Sequence, residues 1–430
     1  MKSSTQNNKI TSLTEKTLII GIDVGSDKHY ARAFDNRFIE YTKPRKPFVF
    51  NNDEQGFRDF LIWADEMAHS HGKDVITVGM EPTGHYWINL GTYIEDHGMK
   101  IVHVNPHHVN KAKELDDNNP SKNDRKDPKV IAGLVTEGRY NYPYIPRGIY
   151  AEIRSLSNLR FQAQEELTRA KNRLARWFAI YFPNYKDVYG NIGAVSGIMI
   201  LKAAPLPADI VKLGADGINQ IWRSAKLKGA GPARAKKLYD AAVHTIGSHE
   251  APEAARIELL QLLDDYDVYF NREAGIMDRV REKVFTIPYV DKLLQISGVG
   301  IKTVIGFIAE TGDLSRFSNA GQLQKLAGLA IVSTSSGKHK GESHISYRGR
   351  KHLRYIMYEA AISVIRNNRG FKEIHEYYTT RPQNPQKKMQ SVITIACKLI
   401  RVFYALLTKG TDFDMSKLLS DIHRVEPVAA

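Results

Sequence analysis

The stretch TLIIGIDVGSDK, residues 17–28, decides the fold. Its apolar run reads as a buried strand that ends in a Gly-containing turn. Two shorter strand candidates follow around HYARAFD (29–35) and FIEYTKP (38–44), which makes a meander opening. EQGFRDFLIWADEMAHSHG (54–72) then has helical apolar spacing, DVITVGMEPTG (74–84) is a second apolar strand, HYWINLGTYIEDHG (85–98) a helix, and KIVHVNP (100–106) a third apolar strand. Strands able to form hairpins, followed by alternating helices and strands, predict an α/β layer with a mixed sheet.

Four acids stand at strand ends or a helix start in this layer. Asp23 ends the first apolar strand, where a carboxylate can leave the sheet and face a ligand. Glu81 ends the next, ahead of Pro82, Thr83 and Gly84, which stop pairing and turn the chain. Asp124 and Asp127, three apart in SKNDRKDPKVIAGL (121–134), share one face if a helix starts there. Together they suit one or two Mg²⁺ ions, with Mn²⁺ as the alternative, and metal-assisted phosphoryl chemistry. Each acid alone has a plainer reading: Asp124 as an N-cap, Asp127 as a first-turn acid, Glu81 as a surface acid. GIDVGSDK also has a competing reading as the phosphate-cradling turn of an actin-like or sugar-kinase ATPase, although no second Gly-rich phosphate segment follows. His85, His103, His107 and His108 lie close in sequence and read as packing or phosphate-contact residues.

The acids sit in a basic chain: 61 Lys and Arg against 47 Asp and Glu give a formal charge of +14 and a pI near 9.5. That balance favours nucleic acid or another anionic surface as partner. Cys397 is the single cysteine, which rules out an intramolecular disulfide and a Cys-based zinc site and fits a reducing compartment. Residues 1–16 read as a polar, loose tail without an apolar signal region, and the apolar stretch 391–407 is broken by Lys398 and Arg401. Neither secretion nor membrane insertion is expected.

Beyond residue 150, apolar positions at Leu156, Leu159, Ala163, Leu167, Ala170, Leu174, Trp177 and Tyr181 predict one long helix. Leu259, Leu262, Tyr266, Tyr269, Ile276 and Val280 repeat the pattern, so the two stripes suit a coiled coil around a helical insert, or a plain bundle. The expected organisation is a tail (1–16), an α/β domain (17–150), a helical middle region (151–288), a mainly α C-terminal domain (289–412) and a tail (413–430). ISGVGIK (296–302) begins like a helix-hairpin-helix, with Gly298, Gly300 and Lys302 placed for a phosphate; an ordinary αα turn is the plainer reading. LKGAGPARAKKL (227–238) is a basic analogue. In IVSTSSGKHKGESHISYRGRKHLR (331–354), Ser333, Ser335 and Ser336 precede Lys338 and Lys340, with Arg348, Arg350, Lys351 and Arg354 beyond. A serine among cations can attack phosphorus, but composition alone favours a flexible, phosphate-binding Ser/Gly loop.

GIDVGSDK, VGMEPTGHYW, VNPHHVNKAKE and SKNDRKDPKVIA resemble the RuvC-like, RNase H-fold domain of the DEDD transposases of insertion sequences, the insertion-sequence one-hundred-and-ten family. The resemblance reaches the C-terminal third, where Ile345, Ser346, Gly349, Leu353 and Arg354 match a run that follows the family's nucleophilic serine. It implies Ser336 as nucleophile, with Ser335 one alignment step away, and Asp23, Glu81, Asp124 and Asp127 as ligands of Mg²⁺. It further implies a covalent phosphoserine–DNA intermediate, donor and target double-stranded DNA as substrates, a noncoding bridge RNA as guide, and a homo-oligomer, dimer or tetramer, with composite sites between subunits, in a prokaryotic cytoplasm on the nucleoid. The basic helix face Arg160, Arg169, Lys171, Arg173 and Arg176 is compatible with RNA, and a solvated helix face would look the same. Two rivals stand beside this: a RuvC-like junction endonuclease that hydrolyses DNA with the acids alone, and a noncatalytic nucleic-acid-binding scaffold.

Overall fold

The computed structural model describes residues 6–43, 46–82, 84–116, 126–336, 339–420 and 422; for 115–116 and 333–342 it describes the backbone alone. β1, Thr17–Val24, is buried along almost its whole length, as a continuous apolar strand must be when covered on both faces. It pairs antiparallel with β2, Lys28–Phe34, which pairs antiparallel with β3, Phe48–Asn51. On its other side β1 runs parallel to β4, Val75–Met80, and β4 parallel to β5, Lys100–Val104; β6, Tyr140–Asn141, is antiparallel to β5. The order β3-β2-β1-β4-β5-β6 is a mixed six-stranded sheet.

Two expectations are corrected in this unit. The third strand is residues 48–51; among the described residues 38–43, Glu40 alone makes a bridge, to Phe34. The Asp35 carboxylate accepts from the amides of Arg37 and Ile39 and bends the chain there, while Glu40 is drawn into a buried ion pair with Arg32 at 2.6 Å. The expected loose tail carries a helix, α1, Gln6–Thr11, whose Gln6 Nε2 donates to the Glu137 carbonyl at 2.8 Å.

The helices of this unit cover the sheet because its strands are apolar on both sides. α2, Glu54–Ser70, and α3, Trp87–Asp96, bring Phe57, Phe60, Leu90 and Ile94 against Leu18, Ile20 and Ile22. After α4, Pro106–Asp116, the opposite face takes α5, Asp127–Thr136, whose Val130, Ile131 and Leu134 pack with Ile19 and Val102. Gly21 and Gly79, neighbours in the β1–β4 register, set how α5 lies. A Cβ on Gly21 would stand 1.9 Å from the Pro128 carbonyl oxygen, and one on Gly79 would stand 2.5 Å from Val135 Cγ2. Only glycine permits that approach.

The chain divides into units 1–146 and 147–430. In the second, α6, Gly148–Tyr181, and α11, Pro252–Val284, pack antiparallel: Trp177 Nε1 donates to the Ala255 carbonyl at 3.0 Å, and Arg160 pairs with Glu273 at 3.2 Å. Between them come α7, Tyr185–Val188, α8, Val195–Ala203, α9, Pro207–Ser224, and α10, Pro232–Val243. These share a core built on Trp177, Phe182, Tyr185, Trp222 and Leu259.

A second core, around Phe307, Leu353, Phe371 and Phe403, joins the other ends of α6 and α11 to the remaining helices. Those are α12, Val290–Leu294, α13, Ile301–Thr311, α14, Ala320–Leu326, α15, Lys351–Asn367, α16, Arg369–Thr380, α17, Lys388–Lys409, and α18, Met415–Leu419. Among the described residues α17 alone is long and apolar enough to cross a membrane, and its Ile395, Leu399, Ile400 and Phe403 lie in this core. The stretch 331–354 adds a strand pair to a mainly helical region: β7, Ile331–Ser336, antiparallel to β8, His339–Ile345.

Candidate active site

The parallel register of β1 and β4 ends with Ile22 beside Met80, so Asp23, still paired with Tyr30 of β2, and Glu81, the first residue beyond β4, take the next positions side by side at the C-terminal edge of that strand pair. Ligands of open α/β sheets bind at that edge. Asp23 shares a strand face with Ile19 and Gly21, the face that α5 covers. The close seat of α5 on Gly21 therefore carries its first residue, Asp127, to the same place. Asp23, Glu81 and Asp127 line one open cleft of about 630 Å³, together with Ser26, Asp27, Lys28, Tyr30, Asn110 and Lys113.

Asp127 is 7 % exposed, and a buried carboxylate needs a partner. It has one in Lys113 of α4, whose Nζ donates to Oδ2 at 2.5 Å. Burial pushes the Glu81 carboxyl above its ordinary value; the Lys113 charge opposes that rise and the Asp127 charge adds to it. These three groups thus sense one another electrostatically. Among the described residues no three acidic, His or Cys side chains form a ready cluster for a metal. The donors are nevertheless hard carboxylate oxygens facing an open polar cleft, the chemistry that suits Mg²⁺ or Mn²⁺.

Asp124 lies outside the described residues. The histidines are not part of the cleft lining. His85, His107 and His108 are exposed, while His103 stacks edge-on against Trp87 and burial lowers it to about 4, keeping it neutral. Lys113 is the residue of this cleft that sequence reading missed. Its signal is faint, one of two lysines, Lys111 and Lys113, in VNPHHVNKAKE, and nothing in that spacing tells which side of α4 meets the acids.

In the second unit Ser336 is the last residue of β7 and pairs with His339 of β8, while Ser335 pairs with Lys340. Both serines therefore belong to the end of this hairpin; their side chains and that of Lys340 lie outside the described residues, as does Lys338. The run that follows anchors the hairpin's base. The amide of Arg350 donates to the Leu326 carbonyl at 2.7 Å, and a Cβ on Gly349 would stand 2.4 Å from that oxygen. Arg354 donates to the carbonyls of Ala327 and Tyr347, and Arg350 pairs with the buried Glu310 at 3.2 Å. Two cations expected on nucleic acid are thus engaged within the fold, and Arg348 is exposed.

At 296–302, Gly298 adopts φ 95°, which favours glycine, and its turn packs on α15, where an added Cβ would meet the Ser363 carbonyl at 2.8 Å. Gly300 precedes α13, and Lys302 reaches Glu273 at 3.3 Å. The basic face expected on α6 is largely paired. Arg160 is buried against Glu273, which removes it as a surface contact; Arg169 pairs with Glu166 at 2.6 Å and Arg173 with Asp265 at 3.8 Å.

Two models of one family match this chain. A model described as "Transposase", of the DEDD IS110 kind, covers residues 20–183, and one described as "Transposase IS116/IS110/IS902 family" covers 290–378. Among similar proteins, an uncharacterized 44.8 kDa protein of insertion element IS116 from Streptomyces clavuligerus is 24% identical over 90% of this chain and 94% of its own length. The pilin gene-inverting protein of Moraxella bovis is 24% identical over 92% of this chain and 97% of its own. With the two models on either side of the middle helices and relatives that span nearly the whole length, the chain belongs to the IS110 family of transposases and is a DNA transposase or recombinase enzyme.

Proposed function

We propose that this enzyme cuts and rejoins donor and target DNA through a serine, Ser336, rather than through water. The observation that carries phosphoryl transfer is the meeting of Asp23, Glu81 and Asp127 in one cleft of a basic DNA-acting protein, while the choice of serine over water rests on the resemblance of residues 331–354 to the family's nucleophile context. Asp23, Glu81 and Asp127 would hold Mg²⁺ there, and the family resemblance adds Asp124 to the ligand set. The bound ion supplies Lewis-acid polarisation of a phosphate oxygen and helps activate a hydroxyl. The Ser336 oxygen forms a bond to phosphorus as one phosphorus–oxygen bond to deoxyribose breaks. The serine proton is lost, the released sugar oxygen takes one up, and the phosphodiester's energy stays in the phosphoserine. A sugar hydroxyl of a second strand then reverses the step, and no ATP is needed. Pilin gene inversion, the act named for the Moraxella relatives, likewise needs strands cut and resealed.

In this reading a coiled coil of α6 and α11 and the helix-hairpin-helix-like element that begins at Ile296 position this chemistry on DNA. A noncoding bridge RNA chooses the sequences, and a homo-oligomer, dimer or tetramer, brings acids and serine to one phosphate. The test is to incubate the protein with its element's end DNA, the adjacent noncoding RNA and Mg²⁺, and to look for a covalent protein–DNA adduct. An adduct lost in Ser336→Ala is expected. Cleavage without an adduct, retained in Ser336→Ala, would establish hydrolysis by the acids; an adduct that persists in Ser336→Ala and vanishes in Ser335→Ala would move the nucleophile by one residue. Omission of RNA is expected to abolish the reaction.

A further inference from the structure

α9 and α10 form a hairpin whose turn and flanks, residues 217–239, carry Arg223, Lys226, Lys228, Arg234, Lys236 and Lys237 and no acid. All six cations are exposed. Elsewhere in the same helical region cations are matched: Arg256 with Asp209 at 2.8 Å and Lys202 with Asp267 at 2.6 Å. On the hairpin, Arg234 Nη1 donates to the Gly229 carbonyl at 3.0 Å and braces the turn. Arg223, Lys226, Lys228, Lys236 and Lys237 make no salt bridge among the described residues. Like charges crowded without partners repel and oppose folding, a cost that an anionic partner removes.

The turn itself is open. Gly229 has φ 76°, which favours glycine, but Gly231 is extended, with φ −164°, a conformation any residue adopts. An added Cβ at Gly231 would meet nothing. Gly231 is the N-cap of α10, a position that glycine fills readily, and with no side chain there the turn is open to close approach by a ligand. Gly229, Gly231, Pro232, Arg234 and Lys237 line a shallow concavity of about 350 Å³. Of the aromatic residues in 217–239, Trp222 is buried and Tyr239 is partly buried beyond the cation cluster, so the cluster, which has no aromatic residue among its cations, suits the phosphates of a duplex better than unstacked bases.

We propose that the α9–α10 hairpin is a second DNA contact, which grips the sugar-phosphate backbone of double-stranded DNA without reading its sequence. It rests on the DNA-acting function of the family, and it lies at 207–243, outside both matched segments. The test compares the full-length protein with the quadruple variant Lys226→Gln, Lys228→Gln, Lys236→Gln, Lys237→Gln, its Lys→Arg counterpart, and Gly231→Leu. Binding to a labelled DNA duplex of arbitrary sequence is followed by anisotropy over a KCl series, with melting temperature as the folding control.

The Gln variant is expected to bind at least about tenfold more weakly, and its slope of log K against log salt to be shallower by up to about 3.6, since each of the four phosphate contacts contributes about 0.9. The Arg variant should keep the slope, and Gly231→Leu should weaken binding at unchanged melting temperature. An unchanged slope in the Gln variant overturns the proposal, as does a loss confined to a duplex RNA of the same sequence. Failure of the unsubstituted protein to bind duplex DNA would overturn the DNA reading and the hairpin's role together.

Discussion

Lys113 is the residue whose role most depends on its surroundings. Its ammonium holds a nearly buried Asp127, so Lys113→Met leaves that carboxylate uncompensated; the expected cost is about 1–2 kcal/mol in urea unfolding, tempered by the partial exposure of the pair. Added Mg²⁺ should restore part of it, and an unshifted midpoint would show that the pair contributes nothing. Glu81 behaves oppositely. Its carboxyl is held above the ordinary 4.5, so between 4.5 and its folded value the folded chain binds more protons than the unfolded chain, and stability falls as pH rises through that window. Glu81→Gln is therefore expected to melt about 1–3 °C higher at neutral pH and no higher below pH 4.5, while strand cleavage falls at least about a hundredfold. A lower melting temperature at neutral pH would refute this. Asp23, Glu81 and Asp127 were legible as candidates because strand ends and helix starts are visible in apolar patterning. Lys113 was not, because the partner of a charge on a helix depends on how that helix packs.

At the scale of elements, α5 on the β1–β4 pair builds the cleft. Gly21→Ala would drive a methyl group into the Pro128 carbonyl, a backbone atom that cannot swing aside. A loss of about 3 kcal/mol is expected, together with roughly a hundredfold loss of cleavage as Asp127 shifts with its helix. Retained cleavage would mean that α5 can move without consequence for the site. TLIIGIDV and VITVGM showed two apolar strands plainly, but the pairing of Gly21 with Gly79, and so the meeting of Asp23 with Glu81, depends on a register that no local pattern states. The stretch FIEYTKP reads as a strand by composition; the Asp35 turn and the Arg32–Glu40 ion pair outweigh that propensity. The run from Ile345 to Arg354 resembles a catalytic context, and much of it anchors the β7–β8 hairpin.

At the scale of the molecule, residues 1–146 hold a sheet with cores on both faces drawn from within that span. A fragment of those residues is expected to unfold in one cooperative urea transition and to bind Mg²⁺ more weakly after Asp23→Asn; a fragment that shows no transition would mean that its cores need the remainder of the chain. The +14 charge is likewise a property of the whole, and it names a polyanion without saying where it sits. Only the fold sorts the cations, setting Arg160 and Arg350 in ion pairs while leaving Lys226, Lys228, Lys236 and Lys237 exposed on the α9–α10 hairpin. By itself the sequence determined the α/β layer, the long helices and the acids at strand ends, because burial imposes periods of two and 3.6 that apolar residues must follow. The tertiary structure decided which carboxylates share a cleft, which lysine neutralises them and which cations stay unmatched, because those depend on distances between segments far apart in the chain.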